Sequence, residues 1–149
     1  KIRQDGYTRW LNKEIKKLGL QESVKWLGKL DASEITQEML DASVSIIPSY
    51  IETYSLALAE SMMIGIPTVV SYAGAMPERA RHEDSALYFP IGDEISCAYQ
   101  IQRILESKSL AEKLSHQAKE LASKRNDPDT IIAQQIKIYE SIFNQKMFF

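Results

Sequence analysis

A chain of 149 residues, 44% of them hydrophobic, is long enough to bury one sizeable core and reads most simply as a single domain, 1–149. Its formal net charge of −2, with no long Lys/Arg run, excludes the electrostatic footprint of a nucleic-acid binder. A lone cysteine, Cys97, excludes an internal disulfide, and no apolar run reaches the roughly eighteen residues that a membrane span needs.

Taken in order, apolar periods alternate between those of helix and strand. Tyr7, Leu11, Ile15 and Leu18 fall at helical spacing, and Gly19 stops that helix. Residues 24–27 read as a short strand with Gly28 at its end. Asp31 and Glu34 make a capping box that opens a helix through Ile35, Met39 and Ala42. Residues 44–47 read as a buried strand ended by Pro48. Residues 56–64 read as a helix with Leu56, Ala59 and Met63 on one stripe, Met62 and Met63 in its packing, and Gly65 as its stop. Residues 67–72 form the next strand, 73–78 a loop, and 79–84 a polar stretch of ambiguous form. A last strand spans 86–89 and ends at Pro90.

Three helices then close the chain over residues 93–145. Asp93 caps one through Ile95, Ala98, Ile101 and Leu105; Ser109 with Glu112 boxes a second through Leu114, Ala118 and Leu121; Asp127 with Pro128 starts a third through Ile132, Ile136, Tyr139 and Phe143. Strands separated by helices predict an α/β fold: a Rossmann-like parallel sheet with helices on both faces. Ligands of such sheets bind at the carboxyl ends of the strands.

At that edge two carboxylates bracket one turn, Glu52 in the loop and Glu60 eight positions later on the helix. Helical side chains tilt toward the N-terminus, so Glu60 leans back toward the mouth that Glu52 faces. Between them lie the free N–H groups of the first turn, with the positive end of the helix dipole. A phosphate or diphosphate suits those donors, a ribose diol the deeper carboxylate, and sugar hydroxyls the loop carboxylate. Spacing alone leaves open the commoner case, a surface helix that carries a solvated Glu60 beside a solvated Glu52.

Four pieces over about thirty residues carry a resemblance. Pro48-Ser49, then Glu52-x-Tyr54-x-Leu56-x-x-x-Glu60, then Gly65-x-Pro67-x-Val69-Val70, then Gly74-Ala75-x-Pro77-Glu78 resemble the donor half of retaining glycosyltransferases of family 4, which have the GT-B fold. A weaker likeness runs from about Tyr7 to about Tyr139. Ser55 stands where the family usually has Gly, and Ala75 replaces the second Gly of the later loop. The resemblance implies a donor site in which Glu52, the catalytic candidate, binds sugar hydroxyls. The amides of Ser55 and Leu56 would hold the diphosphate, with Thr53 and Tyr54 in the same turn, and Glu60 the ribose. Leu27 and Gly28 would line the nucleobase pocket. No metal and no cofactor are implied; the substrates are a UDP- or GDP-sugar and a glycan or lipid-linked acceptor.

The resemblance covers the later part of the C-terminal domain. The family's N-terminal acceptor domain and the first two strands of its C-terminal domain, with their Arg and Lys for the diphosphate, have no counterpart in these residues. The chain alone is therefore expected not to transfer sugar. Those two strands lie in the family between the strands at Val24 and Val44, so their absence predicts a gap, closed by re-paired strands or by a strand-swapped homodimer. Cytoplasmic placement is expected from the lone Cys97, with a peripheral place at the membrane open to the full-length enzyme. The chain opens at Lys1 without Met, which leaves an upstream signal in a longer parent open.

Other residues invite blander readings. His82 reads as part of an exposed charged turn, His116 as solvated, Lys29 as a solvated lysine and Cys97 as a small core residue. Trp10 and Trp26 read as core or half-buried side chains, though a sugar platform at Trp26 stays open. No His/Cys/Asp cluster has metal-ligand spacing. Two rival classes remain: a non-catalytic nucleotide- or sugar-phosphate-binding module, and a purely structural α/β fragment.

Overall fold

The computed structural model describes residues 6–146. The chain divides into two compact units, Lys1–Glu38 and Met39–Phe149. In the first, helix α1 (Gly6–Lys17) ends in a Schellman arrangement: the Leu20 amide donates to the Ile15 carbonyl, the Gly19 amide to Lys16, and Gly19 takes φ +69°. Helix α2 (Ala32–Asp41) starts at the anticipated capping box, with Glu34 N–H on Asp31 Oδ1 at 2.9 Å and Asp31 N–H on Glu34 Oε2 at 2.8 Å. None of the described residues of this unit is buried.

The strand expected at residues 24–27 does not form. A strand exists by pairing, and among the described residues no backbone ladder includes this apolar run. Trp10 and Trp26, read as core or half-buried, are 54% and 43% exposed; Trp10 stacks on Tyr7 at 5.8 Å instead.

The second unit carries the sheet: β1 (Ser45–Ile47), β2 (Thr68–Ser71) and β3 (Leu87–Phe89), parallel and in that order. Ile47 stands opposite Val70, and Val70 opposite Tyr88. Because side chains alternate along a strand, β2 feeds two cores and is buried at all four positions. Val70 and Tyr88 pack on one face with Leu58, Met62, Met76, Ala118 and Ala122, while Val69, Leu87 and Phe89 pack on the other with Ile104 and Leu114. Helices α3 (Leu56–Ile64) and α4 (Met76–Arg79) serve the first face and α5 (Glu94–Glu106) the second. Helix α6 (Lys108–Arg125) contributes to both.

Three further details differ from expectation. The buried side of α3 is Leu58, Ser61 and Met62, while Leu56 and Met63 face outward. Leu, Ala and Met fall on both its buried and its exposed sides, so its periodicity has little contrast to read. The cap of α6 is Ser107, whose Oγ accepts from the Leu110 amide at 3.3 Å; Ser109 is already helical. Residues 76–79, read as loop and polar stretch, form the single turn α4. No strand re-pairing within the described residues fills the expected gap, and only β2 pairs with β1. Helix α7 (Pro128–Lys146) follows, opened by Asp127, which accepts from the Thr130 amide at 2.9 Å. Among the described residues no helix is long and apolar enough to cross a membrane.

Candidate functional site

Two loops meet at the carboxyl edge of the sheet. Ser71, the last residue of β2, donates its hydroxyl to the Ser49 carbonyl at 2.6 Å and so ties the turn after β1 to the strand beside it. Gly74 lies against the same turn: it takes φ +51°, and a Cβ built on it would run into the Glu52 carbonyl oxygen. Only a residue without a side chain brings the two loops this close. Two pieces of sequence more than twenty positions apart thus form one wall.

On that wall Glu52 folds over its own turn. Its Oε1 accepts from the Thr53 amide at 3.0 Å and from the Ser55 amide at 3.1 Å. Ser55 is buried and left-handed, φ 58° and ψ 83°, a conformation that strains an L residue by about 1–2 kcal/mol. Its hydroxyl caps α3 by accepting from the Leu58 amide at 3.3 Å. Ser55 therefore occupies a glycine-type backbone and answers for its side chain with a cap. The amides of Leu56 and Ala57 have no acceptor among the described residues, and Leu56 is 68% exposed. The open mouth of α3 is thus Leu56 and Ala57; the Ser55 amide, expected to be free, is held by Glu52.

Glu60 is exposed on α3, one position before buried Ser61, and its carboxylate has no partner among the described residues. Thr53 is exposed, as is Tyr54, whose ring lies under the Arg79 guanidinium. Leu27 and Gly28 belong to the first unit, Leu27 exposed and Gly28 at φ +76°. An open cleft of about 300 Å³ lies between the turn after β1 and the start of α5, lined by Tyr50, Asp93, Glu94 and Cys97 among others. None of Glu52, Ser55 and Glu60 lines it. Among the described residues no group of three His, Cys, Asp or Glu could hold a metal ion.

Side chains behind the wall hold α4 in place. The Tyr88 hydroxyl donates to the carbonyls of Met76 and Ala80, and burial pushes its pKa well up. His82 accepts the Tyr88 amide on Nδ1 at 2.9 Å and faces the rings of Tyr72 and Tyr88, so it serves the sheet edge. Arg103 pairs with Glu83 at 2.7 Å and, by hydrogen bond and charge, holds that carboxyl below its ordinary range. Cys97 packs partly buried against the second core, and that burial raises its thiol pKa, which disfavours the nucleophilic thiolate. Arg79 escaped sequence reasoning; a polar residue in a polar stretch carries no periodic signal of burial.

The chain as a whole is similar to known proteins. Residues 4–121 match the family described as glycosyl transferases group 1. N-acetyl-alpha-D-glucosaminyl L-malate synthase of Bacillus anthracis is 25% identical over 128 residues, covering 86% of this chain and 33% of that protein. MMP alpha-(1->4)-mannosyltransferase of Mycolicibacterium hassiacum is 30% identical over 131 residues, 86% of this chain and 31% of its own. The structure of Anabaena HepE in complex with UDP superimposes with a TM-score of 0.84 at 28% identity, covering 91% of this chain and 37% of that one. The chain thus spans about a third of the length of these relatives. Its α/β sheet is that of the C-terminal domain of GT-B glycosyltransferases, and the chain belongs to the group 1 glycosyltransferases.

Proposed function

We propose that this chain is the donor-binding portion of a retaining glycosyltransferase of family 4, which moves a hexose from a UDP- or GDP-sugar to a glycan or lipid-linked acceptor. The observation that carries this is the mouth of α3: two amides, Leu56 and Ala57, with no acceptor among the described residues, beside a carboxylate already folded onto the turn. The likeness to a structure with bound UDP supports the same reading.

In this account the diphosphate takes the Leu56 and Ala57 amides, where the helix dipole favours an anion. The Glu52 carboxylate occupies the Ser55 amide until donor arrives, then turns to the sugar hydroxyls and releases that amide to the phosphate. Glu60, whose carboxylate has no partner among the described residues, takes the ribose diol. The acceptor is held by parts of the parent protein outside these residues, so the chain by itself binds donor without transferring sugar.

The test is calorimetry of the chain with UDP and GDP. Glu60→Ala removes one or two charge-assisted hydrogen bonds, each worth about 1.5–3 kcal/mol. Unchanged affinity in that variant takes Glu60 out of the site. A second reading, a nucleotide-binding module without chemistry, draws on the Ser55 amide already being satisfied by Glu52. An assay of donor hydrolysis in the full parent enzyme separates the two.

A further inference from the structure

Arg79 is 5% exposed, yet it has no counter-ion: no carboxylate pairs with it among the described residues, and its sealed Nε has no hydrogen-bond partner. A buried, unpaired guanidinium is an unfavourable state that packing alone does not explain. What the group does have is Tyr54, with the guanidinium carbon 3.6 Å from the ring centroid. Its backbone is fixed from two sides. Arg125 of α6 donates to the carbonyls of Glu78 and Arg79, each at 2.9 Å, and the Tyr88 hydroxyl holds those of Met76 and Ala80. A rigid base therefore presents a cation to one ring, and that ring belongs to the turn carrying Glu52 and Ser55.

We propose that Arg79 is a positioning residue of the donor site: stacked on Tyr54, it sets the turn that presents Glu52 and the α3 amides, and its unpaired charge favours an arriving diphosphate. This rests on the donor reading above. It assigns a role to a side chain outside the two-glutamate pattern, and it explains why a buried cation has no anionic partner among the described residues.

Titration of the 149-residue chain with UDP at several salt concentrations, well below the melting temperature, tests it. Arg79→Met and Tyr54→Leu should each weaken UDP binding by about tenfold, and the double variant by no more than either alone. Tyr54→Phe keeps the ring and should stay within about threefold. Binding by Arg79→Met should also depend less steeply on salt than binding by the parent. Arg79→Lys, which keeps charge but loses the planar stack, supplies the comparison if Arg79→Met does not fold. Folded Arg79 and Tyr54 variants with parental UDP affinity and salt slope overturn the proposal, as does a double variant that loses the sum of the two singles. If the parent binds UDP and Glu60→Ala weakens it while Arg79 variants do not, only this inference falls. If the parent binds no nucleotide, the donor reading falls with it.

Discussion

Gly74 and Ser55 show how single backbone positions make the wall. Gly74 combines a left-handed φ of +51° with backbone packed against the Glu52 carbonyl, so Gly74→Ala meets strain and collision together. We expect Gly74→Ala to lower stability by roughly 2–4 kcal/mol and to abolish UDP binding, read by thermal melting and calorimetry. Near-parental stability would mean that the two loops are not held so closely. The need for glycine at position 74 was legible in the sequence through the loop motif. Glu52's hold on the Ser55 amide was not, because a side chain folding back on its own turn leaves no mark in spacing. Arg79 was invisible for a different reason: the ring it stacks on, Tyr54, is twenty-five positions away in the chain.

Helix α3 joins its end signals to a misleading middle. Its C-terminal bound was readable, since Gly65 is a local cap that acts through its own backbone; the Ser55 cap, made by its hydroxyl, was found only in the structure. The buried side was not readable either, because Leu, Ala and Met fall on both sides of the helix. The structure predicts that Leu58→Ala costs about 2–5 kcal/mol while Leu56→Ala costs little, measured by denaturant unfolding. Equal costs would restore the stripe first read from the sequence. Helix α5 carries a pH signature. Ser96, through its hydroxyl and its amide, holds the Asp93 carboxyl below its ordinary value. A carboxyl whose folded pKa is depressed adds stability above its unfolded value near 3.9, and that stability is lost as pH falls through the folded pKa. Asp93→Asn keeps a cap without the titration, so its stability should fall less between about pH 5 and pH 2 than that of the parent. Parallel acid-unfolding curves would remove Asp93 from that dependence.

Across the whole chain, caps and strand–helix alternation were enough to read the fold class, and the motif pieces were enough to read a glycosyltransferase of group 1. What failed depended on partners. Residues 24–27 have the composition of a strand but no ladder to join, and the apolar stripe of α7 (Ile132, Ile136, Tyr139 and Phe143) is correctly periodic yet exposed. Periodicity reports that a face is apolar; it does not report what covers it. The claim on which the functional account rests is that a nucleoside diphosphate enters at the mouth of α3. Amide resonances of the nitrogen-labelled chain, followed while UDP is added, test this most directly. The Leu56 and Ala57 amides should shift first and furthest, and the Ser55 amide should follow as Glu52 lets go of it. Shifts confined to other parts of the chain, with those three amides unmoved at saturation, would contradict that claim.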